Sequence, residues 1–219
     1  MRRALVLALL ALGGLAGVGA AVYPMLRPTP EAGGVEPRVA APAAGGAPAV
    51  APPVALKPRA GRALALEEAV RELDLIRPSR TRLAEDFAVP MVGGQRFKLS
   101  AERGKLVMIN FWATWCPPCR EEMPAMERLH RHHRDQGFVL LAVSVDAAPD
   151  KVKPFLDRYK LTFRVGLDPT MDLANAYGVR ALPSSFFVDR QGHLAALALG
   201  PRAWDNDASH SLVEGFLRR

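Results

Sequence analysis

The chemistry of this chain centres on its two cysteines, Cys116 and Cys119, which are separated by two prolines. Two cysteines are too few for a secreted scaffold held together by disulfides, and their spacing suits either redox exchange or half of a metal site. A structural zinc site needs four ligands, and the sequence has no second cysteine pair and no spaced Cys/His pair. Attachment of a c-type haem requires histidine after the second cysteine, where Arg120 stands. The sequence therefore predicts a redox-active Cys116–Cys119 disulfide, with no metal and no other cofactor.

Three histidines follow the cysteine pair on the same predicted helix, namely His130, His132 and His133. They stand among arginines, so we expect them on an ordinary solvated helix face rather than at a metal. A peroxidatic cysteine is also disfavoured, because peroxiredoxins carry threonine three residues before that cysteine and this chain has Ala113. Exchange between a dithiol and a disulfide is the chemistry that this pattern favours.

The cysteine pair lies where a predicted strand meets a predicted helix. Residues Leu106–Trp112 form a continuous apolar run typical of a buried central strand, and a helix is predicted from Pro117 to Arg134. A thiolate at the start of a helix meets unpaired backbone N–H groups and the positive end of the helix dipole, which lower its pKa. Proline is tolerated in the first turn because its missing N–H would be unpaired there. Cys116 is therefore the predicted exposed nucleophile, and Cys119, one turn along and more buried, is the predicted resolving thiol.

Strands and helices alternate through the rest of the chain. Amphipathic spacing predicts a helix over 63–76, and a hairpin with its turn at Gly93–Gly94 is predicted over 87–99. Further strands are predicted over 138–145, 163–167, 185–188 and 193–199, and further helices over 150–160, 171–177 and 205–217. This order predicts an α/β fold, a three-layer α/β/α sandwich with a mixed sheet.

Residues 1–27 predict a membrane anchor. Two arginines precede an apolar run over 4–23, which at about 20 residues is long enough to cross a bilayer. The arginines would stay cytoplasmic, which places the catalytic domain in the periplasm, attached to a bacterial inner membrane through one helix. A cleaved signal peptide, leaving a soluble periplasmic protein, is the alternative. Residues 28–62 are rich in Pro, Ala and Gly and predict an extended linker. Residues 63–219 then form the folded domain, with 63–83 as its leading helix and link.

The charge of the chain is unevenly distributed. It carries 29 Lys/Arg and 22 Asp/Glu residues, a formal net charge of +7. The segment up to residue 62 holds seven of the basic and two of the acidic residues, which leaves 22 basic and 20 acidic residues in the folded part. A nucleic-acid-binding domain would concentrate basic charge on itself, so nucleic acid is not a predicted partner. No pattern in the sequence predicts a dimer, and a monomer is expected.

The segment around the cysteines, Phe111–Pro124 (FWATWCPPCREEMP), resembles the active-site segment of the TlpA/ResA/CcmG branch of the thioredoxin superfamily. The resemblance covers roughly 84–219. It includes 142–146 (AVSVD), 177–184 (YGVRALPS), 187–192 (FVDRQG) and 200–204 (GPRAW), of which the last two look closest to the TlpA type. It implies a thioredoxin fold with an N-terminal hairpin and an inserted helix and strand at about 149–167.

The resemblance also implies roles for residues outside the cysteine pair. Pro183 aligns with a cis-proline that faces the cysteines and helps to dock an extended substrate strand, and Leu182 would flank the sulfurs. Glu122 matches the family's active-site glutamate, and its spacing of three residues from the second cysteine places its carboxylate on the same helix face. Buried there, it would have a raised pKa and could take the proton of that cysteine as a general base. A surface ion pair of Glu122 with Arg120 or Lys105 is the alternative.

Three more residues complete the predicted site. Trp115, Pro117 and Pro118 surround the nucleophile and, together with Leu182, are expected to contact the substrate. Ordinary thioredoxins have an acid where this chain has Asn110, so any base role must shift to Glu122.

The function that the resemblance implies is that of a membrane-anchored reductase outside the cytoplasm. Its substrates would be disulfides of specific proteins, such as apocytochromes c or copper-delivery and oxidase-assembly proteins. A membrane electron donor of the DsbD or CcdA type would restore the dithiol. The direction of transfer is open, because Cys-x-x-Cys proteins span about −270 to −120 mV, so a disulfide oxidase or isomerase is one alternative. A non-catalytic factor that binds a partner or a copper ion through the two sulfurs is the alternative from another class.

Overall fold

The computed structural model describes residues 61–219. The predicted anchor at 1–27 lies outside the described residues, and so does all but the end of the predicted linker at 28–62. The described helices and strands are α1 (Leu66–Glu72), β1 (Ala88–Pro90), β2 (Arg96–Lys98), β3 (Leu106–Trp112), α2 (Pro117–His133), β4 (Phe138–Ser144), α3 (Val152–Tyr159), β5 (Arg164–Leu167), α4 (Asp172–Ala176), β6 (Ser184–Val188), β7 (Leu194–Leu199) and α5 (Asp207–Leu217). Within 61–219, the helices are too short or too polar to cross a bilayer.

Five strands form one mixed sheet in the order β5-β4-β3-β6-β7. β3 runs parallel to β4 and β4 parallel to β5, whereas β6 is antiparallel to both β3 and β7. Every residue of β3 and of β4 is buried, which is why both sequences are continuous apolar runs rather than alternating ones. The predicted α/β sandwich with a mixed sheet is confirmed, and the cysteine pair follows its central strand directly.

The sheet lies between two layers. The connections β3–α2–β4 and β4–α3–β5 place α2 and α3 on one face, because right-handed crossovers that advance in one direction return on the same side. Trp112 of β3 packs on that face against Phe155 of α3, with ring centroids 5.0 Å apart. Phe111, the preceding residue, points to the opposite face and contacts Tyr177 beyond α4, at 5.7 Å. The β1–β2 hairpin covers the same opposite face, where Phe87 lies 5.7 Å from Tyr177.

The leading helix is shorter than the predicted span of 63–76. α1 ends at Glu72 because the chain turns at Asp74, which adopts a left-handed conformation with φ of 48°. Ile76 then forms an antiparallel β-bridge with Leu197 of β7 instead of continuing the helix. Backbone pairing with the sheet edge therefore overrides the apolar periodicity that predicted the longer helix.

α1 docks on the C-terminal helix α5. The backbone N–H of Leu64 donates to Ser211 Oγ at 3.0 Å. The side chain of Leu66 packs over Gly215, where an added Cβ would lie 3.0 Å from its Cδ1. Glycine at this position lets the two helices approach closely, so α1 is part of the folded domain.

The remaining predicted elements are present, with ends that differ by one or two residues. α5 begins at Asp207 rather than at 205, because Asn206 caps the helix and accepts a hydrogen bond from the Ser209 N–H at 2.8 Å. α3 begins at Val152 rather than at 150, because Pro149–Lys151 forms a 3₁₀ turn.

Candidate active site

Cys116 and Cys119 lie at the start of α2, just beyond the buried strand β3. They form a disulfide, with Cα atoms 5.3 Å apart. Cys116 occupies the N-cap position, and its Sγ accepts a hydrogen bond from the Cys119 N–H at 3.3 Å. Cys116 is only 4% exposed, so the prediction of an exposed nucleophile is wrong for the oxidised protein, in which neighbouring side chains cover most of the sulfur. Cys119, at 0%, is the more buried of the two.

The two prolines limit how many N–H groups can reach the sulfur of Cys116. Pro117 and Pro118 fill the first two helical positions, and neither has a backbone N–H. Because an N-cap side chain accepts from the second or third helical N–H, Cys119 supplies the donor of this turn. That hydrogen bond and the helix dipole both favour the thiolate form of Cys116 when the disulfide is reduced.

Glu122 lies three residues after Cys119 on the buried side of α2 and is 4% exposed. The alternative of a surface ion pair with Arg120 or Lys105 is wrong. Lys105 Nζ instead contacts Glu102 Oε2 at 2.8 Å, while the exposed Arg120 donates to the Tyr159 hydroxyl at 3.2 Å. The carboxylate of Glu122 therefore faces the interior, on the same side of the helix as the resolving cysteine.

Three hydrogen-bond donors surround the Glu122 carboxylate. Its Oε1 accepts from Asn110 Nδ2 at 2.9 Å. Its Oε2 accepts from the backbone N–H of Arg202 at 3.2 Å and from Trp204 Nε1 at 3.0 Å. Burial raises the pKa of Glu122 to about 7, and the three hydrogen bonds oppose this rise because they favour the ionised form. The group can therefore take up or release a proton near neutral pH.

Sequence reasoning missed several of these partners. Trp204 is fully buried, and its indole N–H donates to Glu122. The resemblance of the segment 200–204 to the family is the sequence feature that could have indicated a role for Trp204 in the site. Arg202 contributes through its main chain, which no side-chain pattern reveals. Ser185 was also missed: its Oγ accepts from Asn110 Nδ2 at 3.0 Å and so fixes the side chain that contacts Glu122.

Asp146 holds the loop that leads into Cys116. Its Oδ2 accepts from the Thr114 N–H at 2.9 Å and from Ser144 Oγ at 2.7 Å, and its Oδ1 accepts from Thr114 Oγ1 at 2.6 Å. Asp146 follows β4, whose last residue pairs with the last residue of β3, so both strands end at the same edge of the sheet. This contact fixes the backbone just before the nucleophile, a role that the resemblance of the segment 142–146 did not assign to Asp146.

A cavity of about 430 Å³ adjoins the disulfide. It brings together Trp115, Cys116, Pro117, Pro118 and Leu182, the predicted nucleophile and all four predicted substrate-contacting residues. The rest of its lining is Val145, Met171, Val179, Arg180 and Ala181. The Trp115 side chain is 65% exposed at the rim, and such an apolar, accessible surface beside a reactive sulfur suits the docking of a protein segment.

The backbone beside this cavity has the geometry that the resemblance implied. The peptide bond between Leu182 and Pro183 is cis. Pro183 is buried and immediately precedes β6, whereas Leu182 is half-buried and lines the cavity. Glu122 does not line the cavity, so the structure separates the predicted docking residues from the predicted proton acceptor.

Potential metal ligands gather at the other end of α2. Among residues 61–219, the side chains of His132, His133 and His210 could share one ion. The predicted solvated face is wrong for His133, which is fully buried because α5 packs over the last turn of α2. His130 is half-buried, with its ring 6.3 Å from that of Phe163.

Comparison with known proteins places these features in context. A profile of the AhpC/TSA family matches residues 81–197. The thiol-disulfide oxidoreductase ResA of Geobacillus thermodenitrificans is 37% identical over 127 residues, which is 58% of this chain and 73% of that protein. ResA of Bacillus thuringiensis is 33% identical over 136 residues, 62% of this chain and 75% of that protein. A crystal structure of a putative thiol:disulfide interchange protein DsbE from Chlorobium tepidum aligns with a TM-score of 0.59 and 34% identity, covering 64% of this chain and 98% of that one.

Proposed function

Because the chain belongs to the AhpC/TSA family and is a thiol–disulfide oxidoreductase, we propose that it reduces the disulfides of specific partner proteins outside the cytoplasm. The observation that carries this proposal is the pairing of two groups on α2. Cys116 Sγ sits on the helix N-terminus with the Cys119 N–H, and Glu122 is a buried carboxyl with a pKa near 7 on the same helix.

The reaction proceeds by two thiol–disulfide exchanges. The Cys116 thiolate attacks one sulfur of the partner's disulfide, forms a mixed disulfide and releases the partner's first thiolate. The Cys119 thiolate then attacks Cys116 Sγ, which releases the partner's second thiolate and closes the Cys116–Cys119 disulfide. Two electrons pass to the partner, which leaves as a dithiol once its thiolates take up protons.

Glu122 manages the proton of Cys119 in the second exchange. With a pKa of about 7, the ionised carboxylate can accept the Cys119 thiol proton at neutral pH and release it in a later step. The cavity at Trp115, Pro117, Pro118 and Leu182 would hold the partner segment, with the cis-proline Pro183 beside it as a backbone docking point. No cofactor takes part, because the disulfide itself carries the electrons.

The cellular setting that we propose rests on the N-terminal sequence. The anchor at 1–27 would fix the protein in a bacterial inner membrane, and the linker at 28–62 would hold the domain in the periplasm, where apocytochromes c or copper and oxidase-assembly proteins are the expected partners. A membrane donor of the DsbD or CcdA type would reduce the Cys116–Cys119 disulfide. Fractionation of cells tests the location: the protein is expected with the inner membrane and accessible from the periplasm, and a cytosolic protein would contradict the proposal.

The reduction potential decides the direction of electron transfer. The chain is equilibrated with glutathione or dithiothreitol redox buffers, and the fraction of closed disulfide is measured by thiol labelling. A potential near −270 mV, at the thioredoxin end of the range, is expected for a reductant. A potential near −120 mV would overturn the direction and make the protein an oxidant.

Trapping of a mixed disulfide separates turnover from simple binding. In Cys119→Ser the resolving thiol is missing, so the attack of Cys116 on a partner stops at the mixed disulfide. A covalent complex with a partner protein, cleaved when dithiothreitol reduces the mixed disulfide, is expected in Cys119→Ser. It should be absent in the matched control Cys116→Ser. A Cys119→Ser protein that traps no partner would favour a non-catalytic binding factor.

A further inference from the structure

Three of the chain's five histidines converge where the last turn of α2 meets the first turns of α5. They are His132, His133 and His210, and each offers a ring nitrogen within 4.8 Å of the others. The rings lie close together: the centroid of His132 is 4.6 Å from that of His133 and 5.1 Å from that of His210. Since 77 residues separate His133 from His210, only the folded chain brings them together.

The nitrogen atoms have the spacing of ligands that share one ion. His133 Nε2 lies 2.9 Å from His210 Nδ1. Two imidazole nitrogens that are each about 2.0–2.1 Å from a tetrahedral zinc ion are themselves roughly 3.3 Å apart, so a separation only a few tenths of an ångström wider would admit the ion. His132 Nε2 is buried and has no hydrogen-bond partner among the described residues, so a buried lone pair or proton at that site is unsatisfied without a ligand.

Neighbouring groups orient these rings. Asp205 Oδ1 lies 3.2 Å from His210 Nε2, which keeps a proton on that nitrogen and leaves Nδ1 to face His133. A carboxylate behind a ligating histidine is the usual outer partner at metal sites, because it fixes both the tautomer and the ring orientation. The Gln136 amide nitrogen lies 3.2 Å from His133 Nδ1 and donates to it, which places the His133 ring proton on Nε2, facing His210 Nδ1. For His133 Nε2 to bind a metal, that proton must move to Nδ1 and the Gln136 amide must turn so that its oxygen accepts it. Metal binding replaces the His133–His210 hydrogen bond, and affinity falls as the pH is lowered because protons compete with the metal for the imidazole nitrogens.

We propose that His132, His133 and His210 form a zinc-binding site that ties α2 to α5. Imidazole nitrogens suit Zn²⁺, and water completes the tetrahedral coordination. The site is separate from the redox chemistry, because His132 lies 13 residues after Cys119 on α2, or roughly 20 Å along the helix axis. The ion stabilises the folded domain by binding only when α2 and α5 are packed together.

The test uses the full 219-residue chain in its oxidised form, so that the disulfide removes both cysteines as ligands. After treatment with a chelator and its removal, Zn²⁺ is titrated in competition with a chromophoric chelator, and the thermal midpoint is measured with and without Zn²⁺. The test variant is His132→Gln, because the His132 side chain takes no part in the hydrogen bonds that join Gln136, His133, His210 and Asp205. His193→Gln, which alters a histidine outside the cluster, is the matched control.

The wild type and His193→Gln are expected to bind one Zn²⁺ per chain with a raised thermal midpoint. His132→Gln is expected to bind at least tenfold more weakly while keeping the metal-free thermal midpoint of the wild type. Asp205→Asn should weaken binding by about 10–100-fold, as is usual for the outer partner of a ligating histidine. Equal affinity in the wild type and His132→Gln, or no saturable binding in the wild type, would overturn the proposal. None of these results depends on the reduction potential, so this test and that of the redox function fail independently.

Discussion

Protonation of Glu122 should make the free energy of unfolding of the oxidised domain measurably dependent on pH. Burial raises the pKa of this carboxyl from 4.5 to about 7 in the folded state. That difference corresponds to about 3 kcal/mol, at 1.36 kcal/mol for each pKa unit. Replacing Glu122 with Gln removes the ionisable group and keeps nearly the same shape, so this contribution to the pH dependence should disappear.

The direction of the effect follows from proton counting. Between pH 4.5 and about 7 the folded protein holds a proton on Glu122 that the unfolded chain has already lost. The free energy of unfolding therefore falls as the pH rises through this window, and above pH 7 the full cost of about 3 kcal/mol is present. Asp86, Glu102 and Glu127, whose pKa values are lowered, have the opposite effect, because their contribution is lost as the pH falls through their folded pKa values.

The assay is urea unfolding of the oxidised chain at a series of pH values from 4 to 8.5, for the wild type and two variants. The stability of Glu122→Gln relative to the wild type should rise by about 3 kcal/mol as the pH increases from 4.5 to above 7. Glu121→Gln, at the exposed neighbouring position, should track the wild type throughout. Any fixed cost of placing an amide in this site shifts the whole curve and leaves the slope difference intact.

The Asn110 side chain indicates how a glutamine amide at position 122 would be accommodated. Asn110 Oδ1 is buried and has no hydrogen-bond partner among the described residues, while Nδ2 of the same amide donates to Glu122. A 180° turn of the Asn110 side chain would present Oδ1 to a donor at position 122, either a glutamine amide or the O–H of a protonated Glu122. If the wild-type and Glu122→Gln curves run parallel from pH 4.5 to 8.5, Glu122 does not titrate in this window and the reasoning is refuted.

Two further predictions concern the hydrogen bonds that influence the pKa values of Cys116 and Glu122. Pro118→Ala adds an N–H at the second helical position, within reach of Cys116 Sγ, and should lower the Cys116 pKa by about one unit, since a hydrogen bond to a charged group contributes roughly 1.5–3 kcal/mol. The ultraviolet absorbance of the thiolate, followed through a pH titration of the reduced protein, measures the Cys116 pKa. Pro117→Ala is the control, because its new N–H lies outside the reach of the N-cap sulfur. Equal pKa shifts in the two variants would contradict the proposed N-cap hydrogen bond. Trp204→Phe removes one donor from the Glu122 carboxylate and should raise the Glu122 pKa by about one unit. Carboxyl NMR resonances followed through a pH titration report that pKa, and an unchanged midpoint would show that the Trp204 hydrogen bond does not stabilise the charge.

Local sequence was sufficient where structure depends on near neighbours. The apolar run Leu106–Trp112 became the central strand with the predicted bounds, because a strand buried on both faces tolerates no polar alternation. The helix after it begins at Pro117, since proline suits the first turn and the cysteine before it caps the helix. The spacing of three residues from Cys119 likewise placed Glu122 on the buried helix face, because helical geometry alone fixes which residues share a side.

What the sequence could not supply are the contacts between residues far apart in the chain. Glu122 owes two of its three hydrogen bonds to Arg202 and Trp204, which are 80 and 82 residues away. These contacts act on its pKa together with burial and the nearer Asn110. The burial of Cys116, the shortened α1 and the histidine cluster likewise depend on how α5, β7 and the cavity rim pack against distant segments. Periodicity and capping are encoded locally, but desolvation and long-range hydrogen bonds exist only once the sheet has assembled, so the chemistry of the predicted residues is decided by the tertiary structure.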